Sequence, residues 1–200
     1  MQNFFEMHNY LAKDDESFIK LTDIALEDDM IKAKNSILER AKNKNTLGIE
    51  GKVEIIFNNK NLITNSRFEA LEIDLFWRDT VLEAIEMFLT ENKAISYFPE
   101  SNQKLILESV KNRQLISLSI EENKIENISD NEIAINYDNK IIKRAVLEKE
   151  QFFEVTLDAA TALFNILSNL NLPKDNYLLE LTKIKKIREE LLPNHMAYSY

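Results

Sequence analysis

The chain has 200 residues, of which 44% are hydrophobic and 30% charged, and its formal net charge is −9. A chain of this length can bury roughly 70% of its unfolded surface, so the sequence predicts one domain, residues 1–200, with a substantial core. The negative charge repels phosphate backbones and argues against nucleic-acid binding. The lack of cysteine excludes disulfides and thiolate metal sites.

Membrane and secretion signals are not evident in the sequence. The first residues lack the basic and apolar regions of a signal peptide, and no stretch approaches the roughly 18 consecutive apolar residues of a transmembrane helix. We therefore expect a cytoplasmic protein without a membrane partner.

The first 46 residues are predicted to form a helical N-terminal segment. Residues 14–29 contain seven acids against one lysine, and residues 30–44 contain five bases against one acid. Acids before bases suit the macrodipole of one helix, or of a helical pair. Apolar side chains in the first stretch recur at helical spacing: Phe18, Leu21 and Ala25.

Residues 48–147 are predicted to form a strand-rich core, because apolar and polar residues alternate with a period of two. The turn at 58–61 should reverse the chain through Leu62 and Ile63. Residues 121–132 read as an exposed connection. The predicted strands span residues 52–57, 68–73, 104–110, 114–120, 132–137 and 140–147, with the last two joined at Asp138 and Asn139.

A helix is predicted over residues 75–92 within this core, since apolar and acidic side chains fall on opposite faces. Asp74 stands where a carboxylate can cap the first turn. The apolar face holds Trp77, Val81, Ala84, Ile85 and Phe88. The opposite face holds Asp79, Glu83 and Glu86.

Two further helices are predicted within residues 148–192, separated by a break at residues 169–173 where proline prevents continuation. Asp175 can cap the second. The inward stripe of the first holds Phe153, Leu157, Ala160, Phe164 and Leu167, and that of the second holds Leu178, Leu181, Ile184, Ile187 and Leu191. The predicted fold is therefore α+β, with a mostly antiparallel sheet covered by helices and with helical terminal segments.

Few residues are suited to catalysis or cofactor binding. His8 and His195 both lie near predicted mobile ends, and the chain lacks a nucleophile elbow, a glycine-rich phosphate loop and a metal-ligating motif. We therefore expect no cofactor and no metal. The three carboxylates of the predicted helix could ligate a hard cation or act as acid and base, but such spacing opposite an apolar stripe is more typical of a solvated face.

Five segments carry a family resemblance: GKVEIIF at 51–57, IDLFW at 73–77, SYFPE at 96–100, LIL at 105–107 and LISLSI at 115–120. Together they resemble bacterial immunity proteins of polymorphic and contact-dependent toxin systems, over residues 48–170. The resemblance implies a binding module that blocks a cognate toxin. Residues 1–44 and the last helix lie outside it.

The resulting prediction is a non-enzymatic module that binds another protein, such as a basic toxin domain. Acidic surfaces steer basic partners toward themselves. Two alternatives stay open: an assembly protein that self-associates through its terminal helices, and an enzyme that uses carboxylates alone. The predicted partner-binding residues are Glu69, Glu72, Asp79, Glu83 and Glu86.

Overall fold

A computed structural model describes residues 4–13, 15, 17–25, 31, 34–40, 49–63, 71–99, 103–111, 114–129, 132–170 and 177–191. Backbone contacts divide the chain into two compact units. We call Met1–Trp77 together with Glu150–Tyr200 the terminal unit, and Arg78–Lys149 the central unit. That the whole chain forms one domain stays a prediction.

The terminal unit contains a five-stranded antiparallel sheet in the order β2-β1-β3-β4, with β5 also paired to β3. The short strands β2, β4 and β5 pair beside the two longer ones, which form the centre of the sheet. The strands are β1 (Phe5–Ala12), β2 (Phe18–Lys20), β3 (Glu50–Phe57), β4 (Lys60–Asn61) and β5 (Leu71–Glu72).

The turn between β3 and β4 confirms the predicted reversal. Asn58 and Asn59 have φ angles of 48° and 63°, a left-handed conformation that asparagine tolerates better than most residues. The Leu62 amide then donates a hydrogen bond of 2.7 Å to the Ile55 carbonyl. The chain therefore turns back along β3, as the asparagine-rich sequence indicates.

The helical elements begin with a 3-10 turn (Leu21–Ala25) and helix α1, residues 34–40. Helix α2 runs from Ile73 to Glu91 through three consecutive parts: Ile73–Leu75, a π-helical part Phe76–Leu82, and Glu83–Glu91. Helix α3 is Lys149–Asn169 and α4 is Leu178–Leu191. Asn92, with a φ of 58°, ends α2 in a left-handed cap.

The central unit contains a four-stranded antiparallel sheet in the order β6-β7-β8-β9. Its strands are β6 (Lys93–Tyr97), β7 (Gln103–Val110), β8 (Leu115–Ser129) and β9 (Glu132–Glu148). The Glu83–Glu91 part of α2 packs on β6 and β7. Beyond Glu122, β8 pairs with β9 alone among the described strands, so the two continue as a ribbon.

Each unit has its own apolar core. In the terminal unit, the Phe5 ring on β1 lies 6.0 Å from that of Phe152 on α3, and α4 contributes Ile184 and Ile187. In the central unit, the buried side chains of α2 and the sheet include Val81, Ile85, Phe88, Leu107 and Leu118. Burial of such side chains stabilises each by about 1.5–3 kcal/mol relative to exposure.

Several predictions are confirmed. The fold is α+β with antiparallel sheets, and the predicted hairpin across residues 111–113 corresponds to β7 and β8. All five residues predicted for the apolar face of α2 are buried, as are the five of the inward stripe of α3. The last helix is also present, although Leu178 at its start is exposed.

The helical prediction for residues 1–46 is wrong in its first half. Residues 5–12 and 18–20 form strands, because β1 pairs with β3 over seven residues and β2 pairs with β1. Strand pairing thus overrides the local helical spacing: Phe18 pairs with Ala12 of β1, and Leu21 begins the 3-10 turn. Residues 34–40 are helical, as predicted.

Three further predictions are wrong. Strand β8 continues to Ser129, so residues 121–129 are not a loop. Strand β9 runs without interruption from Glu132 to Glu148, so the predicted hairpin across Asp138 and Asn139 does not form. The pairing shifts register between Asn123 and Lys124 of β8, and this β-bulge accommodates the turn-like residues 137–139 of β9. Asp74 does not cap α2, because it is buried and bonded elsewhere. Asp175 and residues 64–70 lie outside the described residues.

Within the described part of the chain, no helix has the length and apolar character needed to cross a bilayer.

Candidate functional site

The candidate site is the outward side of α2, which we call the acidic face: Asp79, Glu83 and Glu86. All three side chains are exposed. They point away from the core because Val81, Ala84, Ile85 and Phe88 occupy the opposite side of the same helix. The structure therefore brings together three of the five residues predicted to bind a partner.

The other two predicted residues are placed differently. Glu72 lies on β5 in the terminal unit, paired with Glu50 of β3 and half-buried. Glu69 lies outside the described residues. The acidic face belongs wholly to the central unit, and the binding role of Glu69 and Glu72 stays a prediction.

The backbone beneath the acidic face is held by two side-chain hydroxyls. Thr80 Oγ1 donates to the Tyr97 carbonyl over 2.9 Å, and Ser96 Oγ donates to the Asp79 carbonyl over 3.2 Å. Both bonds join the π-helical part of α2 to β6. π-Helical turns occur frequently at functional sites, and the first residue of the acidic face lies within one.

Asp79 and Glu83 concentrate negative charge without a neutralising partner. Neither carboxylate forms an ion pair with any residue that the structure describes. They are four residues apart, and like charges at that spacing destabilise a helix by about 0.2–0.5 kcal/mol. The last turn of α2 carries no basic residue to offset this. The repulsion between Asp79 and Glu83 lowers the stability of α2, and such a loss of stability is typical of surfaces that bind a partner.

A second group of titratable side chains lies on one side of the sheet in the terminal unit. We call it the sheet cluster: Glu6, His8 and Tyr10 on β1, with Lys52 and Glu54 on β3. Register places His8 opposite Glu54 and Tyr10 opposite Lys52. His8 Nε2 lies 3.0 Å from Glu6 Oε2, and Tyr10 Oη donates to Glu54 over 2.7 Å.

Glu54 is the centre of this cluster. Lys52 Nζ lies 2.9 Å from its second oxygen and 5.1 Å from the centre of the Tyr10 ring. Burial alone raises the pKa of Glu54, but hydrogen bonds from Tyr10 and Lys52 outweigh burial and lower it. Burial and the Glu54 carboxylate raise the pKa of Tyr10 to about 12.

These contacts give the sheet cluster a structural character. Tyr10 keeps its proton, and both Glu54 oxygens accept hydrogen bonds. The prediction that His8 lies near a mobile end is wrong, because it lies within β1 and is paired with Glu54 of β3. His195 lies outside the described residues. The alternation of Glu6, His8 and Tyr10 with Phe5 and Leu11 is the sequence signal for this strand.

Two buried side chains at the start of α2, Asp74 and Trp77, form hydrogen bonds that position the helix and do not form a binding site. Asp74 Oδ1 accepts from the Ile49 amide at 2.8 Å, and its Oδ2 accepts from the Tyr177 hydroxyl at 3.1 Å. Trp77 Nε1 donates to Asn9 Oδ1 at 2.8 Å. Asp74 and Trp77, which belong to the terminal unit, thus both have partners within that unit, as buried polar groups require.

Among the described side chains, no three histidines or carboxylates converge closely enough to hold a metal ion. Comparison with known proteins gives no match, whether to a family model, a curated sequence or a solved structure.

Proposed function

We propose that this chain is a non-enzymatic, cytoplasmic binding module whose acidic face docks on a basic protein. The single observation that carries the proposal is the exposed pair Asp79 and Glu83, uncompensated within the described chain and mounted on a helix fixed to β6. A rigid surface loses little conformational entropy on binding, so its charge is available for steering and complementarity.

The specific form we propose is an immunity protein that neutralises a cognate toxin. Toxins that attack nucleic acids must themselves bind phosphate and are therefore basic, so an acidic inhibitor is attracted to their active sites. The net charge of −9 supports the same direction of attraction. The family resemblance over residues 48–170 includes the acidic face.

Capture from a lysate of the host organism, followed by reconstitution, tests this proposal. The reversal variant Asp79→Lys/Glu83→Lys is compared with the wild type and with Glu154→Lys/Glu190→Lys. The control residues are exposed acids on α3 and α4, and both variants change the net charge from −9 to −5, since each replacement adds two charges.

We expect a basic protein to be retained by the wild type and the control but lost by the reversal variant. If it is a toxin, its expression alone should stop growth, and co-expression of the wild-type chain should restore it. Capture of the same proteins by the wild type and the reversal variant would contradict a role for the acidic face.

A second candidate function is assembly by self-association, which the start of α4 favours. Leu178 and Leu179 are both exposed there, next to the buried Tyr177, and adjacent exposed leucines are typical of interaction surfaces. Sedimentation velocity over a range of concentrations distinguishes this candidate. Assembly would be supported if the mass of the wild type rose with concentration while that of Leu178→Ser/Leu179→Ser stayed constant. A wild type that remained monomeric at every concentration would exclude assembly.

A further inference from the structure

The central sheet has one side covered by α2 and one side that the helix does not cover. Ala94 and Ser96 of β6 are buried on the helix side, and Ser96 contacts the helix backbone directly. Lys93, Ile95 and Tyr97 alternate with them and are exposed. We call the side that bears Ile95 the open face of the sheet.

Small side chains form the floor of this open face along β8. Register places Ser119 between Ile106 of β7 and Arg144 of β9, and it places Ser117 one pair further along the strand. Ser117 is only 1% exposed, and Ser119 is also buried. Because larger side chains stand on both neighbouring strands, the serines lie at the bottom of a shallow trough.

Arg144 crosses this trough and is held in place. Its Nε donates a hydrogen bond of 2.6 Å to Ser117 Oγ, while the side chain as a whole is exposed. This contact uses one of the five N–H donors of the guanidinium group. An oriented guanidinium with free donors is the usual partner of a carboxylate in a two-bond arrangement.

Charge pairing on the open face leaves Arg144 without an acidic partner. Lys93 pairs with Glu108 at 2.8 Å, and Lys104 pairs with Glu121 at 2.9 Å. Within the described residues, Arg144 forms no ion pair, and Glu148 is four residues further along the same strand. Among the described side chains, Arg144 is thus an uncompensated positive group, mounted on the edge strand β9 and held over β8 by Ser117.

Exposed apolar side chains lie on both edge strands of the open face. On β9, Ile142 is 55% exposed and lies two residues from Arg144, whereas on β6 Tyr97 is 67% exposed and Ile95, opposite Ile106, is 37% exposed. Tyrosine and arginine are the residue types that most often dominate binding energy in protein interfaces. The open face therefore combines an anchor for one carboxylate with apolar contact area on the same strand and at the opposite edge of the sheet.

We infer that the open face binds an extended acidic segment of a partner protein, with a carboxylate of that segment on Arg144 and apolar side chains on Ile106 and Ile142. Side chains on one side of an extended segment recur about every 6.6 Å, which is also the spacing of Ile142 and Arg144, successive open-face residues of β9. Nucleic acids and anionic membranes require several uncompensated cations, so a single arginine with apolar neighbours favours the protein segment.

This inference is tested with a capped peptide of alternating glutamate and valine, labelled for fluorescence anisotropy. We expect the wild type to bind it, and Arg144→Gln to weaken binding by about tenfold, the loss typical of a charge-assisted hydrogen bond. Arg144→Lys should fall between them, because lysine keeps the charge and loses the planar fork. Ser117→Ala should also weaken binding, because it releases Arg144.

Three controls make the result decisive. Arg188→Gln, which removes an arginine on α4 paired with Asp158, should bind as the wild type does. A peptide of alternating lysine and valine should not bind. The reversal variant Asp79→Lys/Glu83→Lys should bind the glutamate peptide at least as tightly as the wild type, because it keeps Arg144 and carries less negative charge, so binding does not depend on the acidic face. No binding by the wild type, or equal binding by Arg144→Gln, would overturn the inference.

Discussion

Asn9 and Trp77 form a buried contact in which the indole Nε1 donates a 2.8 Å hydrogen bond to the asparagine Oδ1. The Asn9 amide in turn donates to the Ala159 carbonyl at 2.9 Å. One side chain on β1 thereby joins the start of α2 to the middle of α3. The tryptophan is fully buried, so its N–H depends on this acceptor.

Replacing Asn9 by alanine should destabilise the protein. The Trp77 N–H would lose its acceptor in a site that water does not reach, which costs about 2–3 kcal/mol including the lost bond to Ala159. Urea unfolding followed by tryptophan fluorescence measures the change, since Trp77 is the only tryptophan. The matched control His8→Ala removes a half-exposed neighbour on the other side of β1. A loss for Asn9→Ala no larger than the control would contradict this role.

Gly51 on β3 should not tolerate a larger residue. A Cβ at this position would clash with the Tyr10 carbonyl and would lie 2.9 Å from Ile73 Cγ2. Because the Tyr10 carbonyl is backbone, Gly51→Ala should cost about 1–3 kcal/mol in the free energy of unfolding. Lys52→Ala on the same strand is the control, with a smaller expected effect. Equal midpoints in urea for Gly51→Ala and the wild type would show that the sheet relaxes freely here.

The β3–β4 turn should distinguish alanine from glycine at position 59. Asn59 has a φ of 63°, where a Cβ costs alanine about 1 kcal/mol or more, whereas glycine adopts this angle freely. We therefore expect Asn59→Ala to lower the thermal midpoint and Asn59→Gly to preserve or raise it. Calorimetry on both variants checks the order, and a reversed order would contradict the turn conformation.

Tyr10 should titrate at unusually high pH. Its pKa is raised from 10.0 to about 12 by burial and by the bond to Glu54. The resulting stability is fully present below pH 10 and is lost as pH rises toward 12. The pKa of Glu54 is lowered, so its contribution is present above the ordinary value of 4.5 and is lost as pH falls below it.

Tyrosinate absorbance measures the first of these shifts. The wild type should show one late-titrating tyrosine that the Tyr10→Phe variant lacks. Wild-type stability relative to this variant should also decline between about pH 10 and 12. If all tyrosines of the wild type titrated in the same pH range, and none titrated late, the Tyr10–Glu54 bond would not form in solution.

The helices could be predicted from sequence where packing follows local periodicity. In α2 and α3, a continuous apolar stripe faces the core, so spacing alone identifies Ile85, Phe88 and Phe164 as buried. The N-terminal strands could not be predicted in this way. Phe18 and Leu21 have helical spacing, but Phe18 pairs with Ala12 on β1, and β1 itself pairs with β3 far along the chain.

The acidic face could be predicted for the same reason as its helix, since a buried stripe leaves the opposite side exposed. The hydrogen bond between Arg144 and Ser117 could not be predicted, and neither could the sheet cluster, because both depend on the register between strands. Asp74 shows the limit of local rules. Its position suggests a cap, but the distant Ile49 amide and Tyr177 hydroxyl bind both carboxylate oxygens.

The most direct measurement is the association rate constant between the purified basic partner and each variant, as a function of ionic strength. We expect Asp79→Lys/Glu83→Lys to slow association by about tenfold or more at low salt and to flatten its salt dependence, because steering requires the acidic face. Glu154→Lys/Glu190→Lys, with the same net charge, should keep most of the wild-type rate and slope. Equal rates and slopes for the two variants would contradict a docking role for the acidic face, since net charge alone would then explain the attraction.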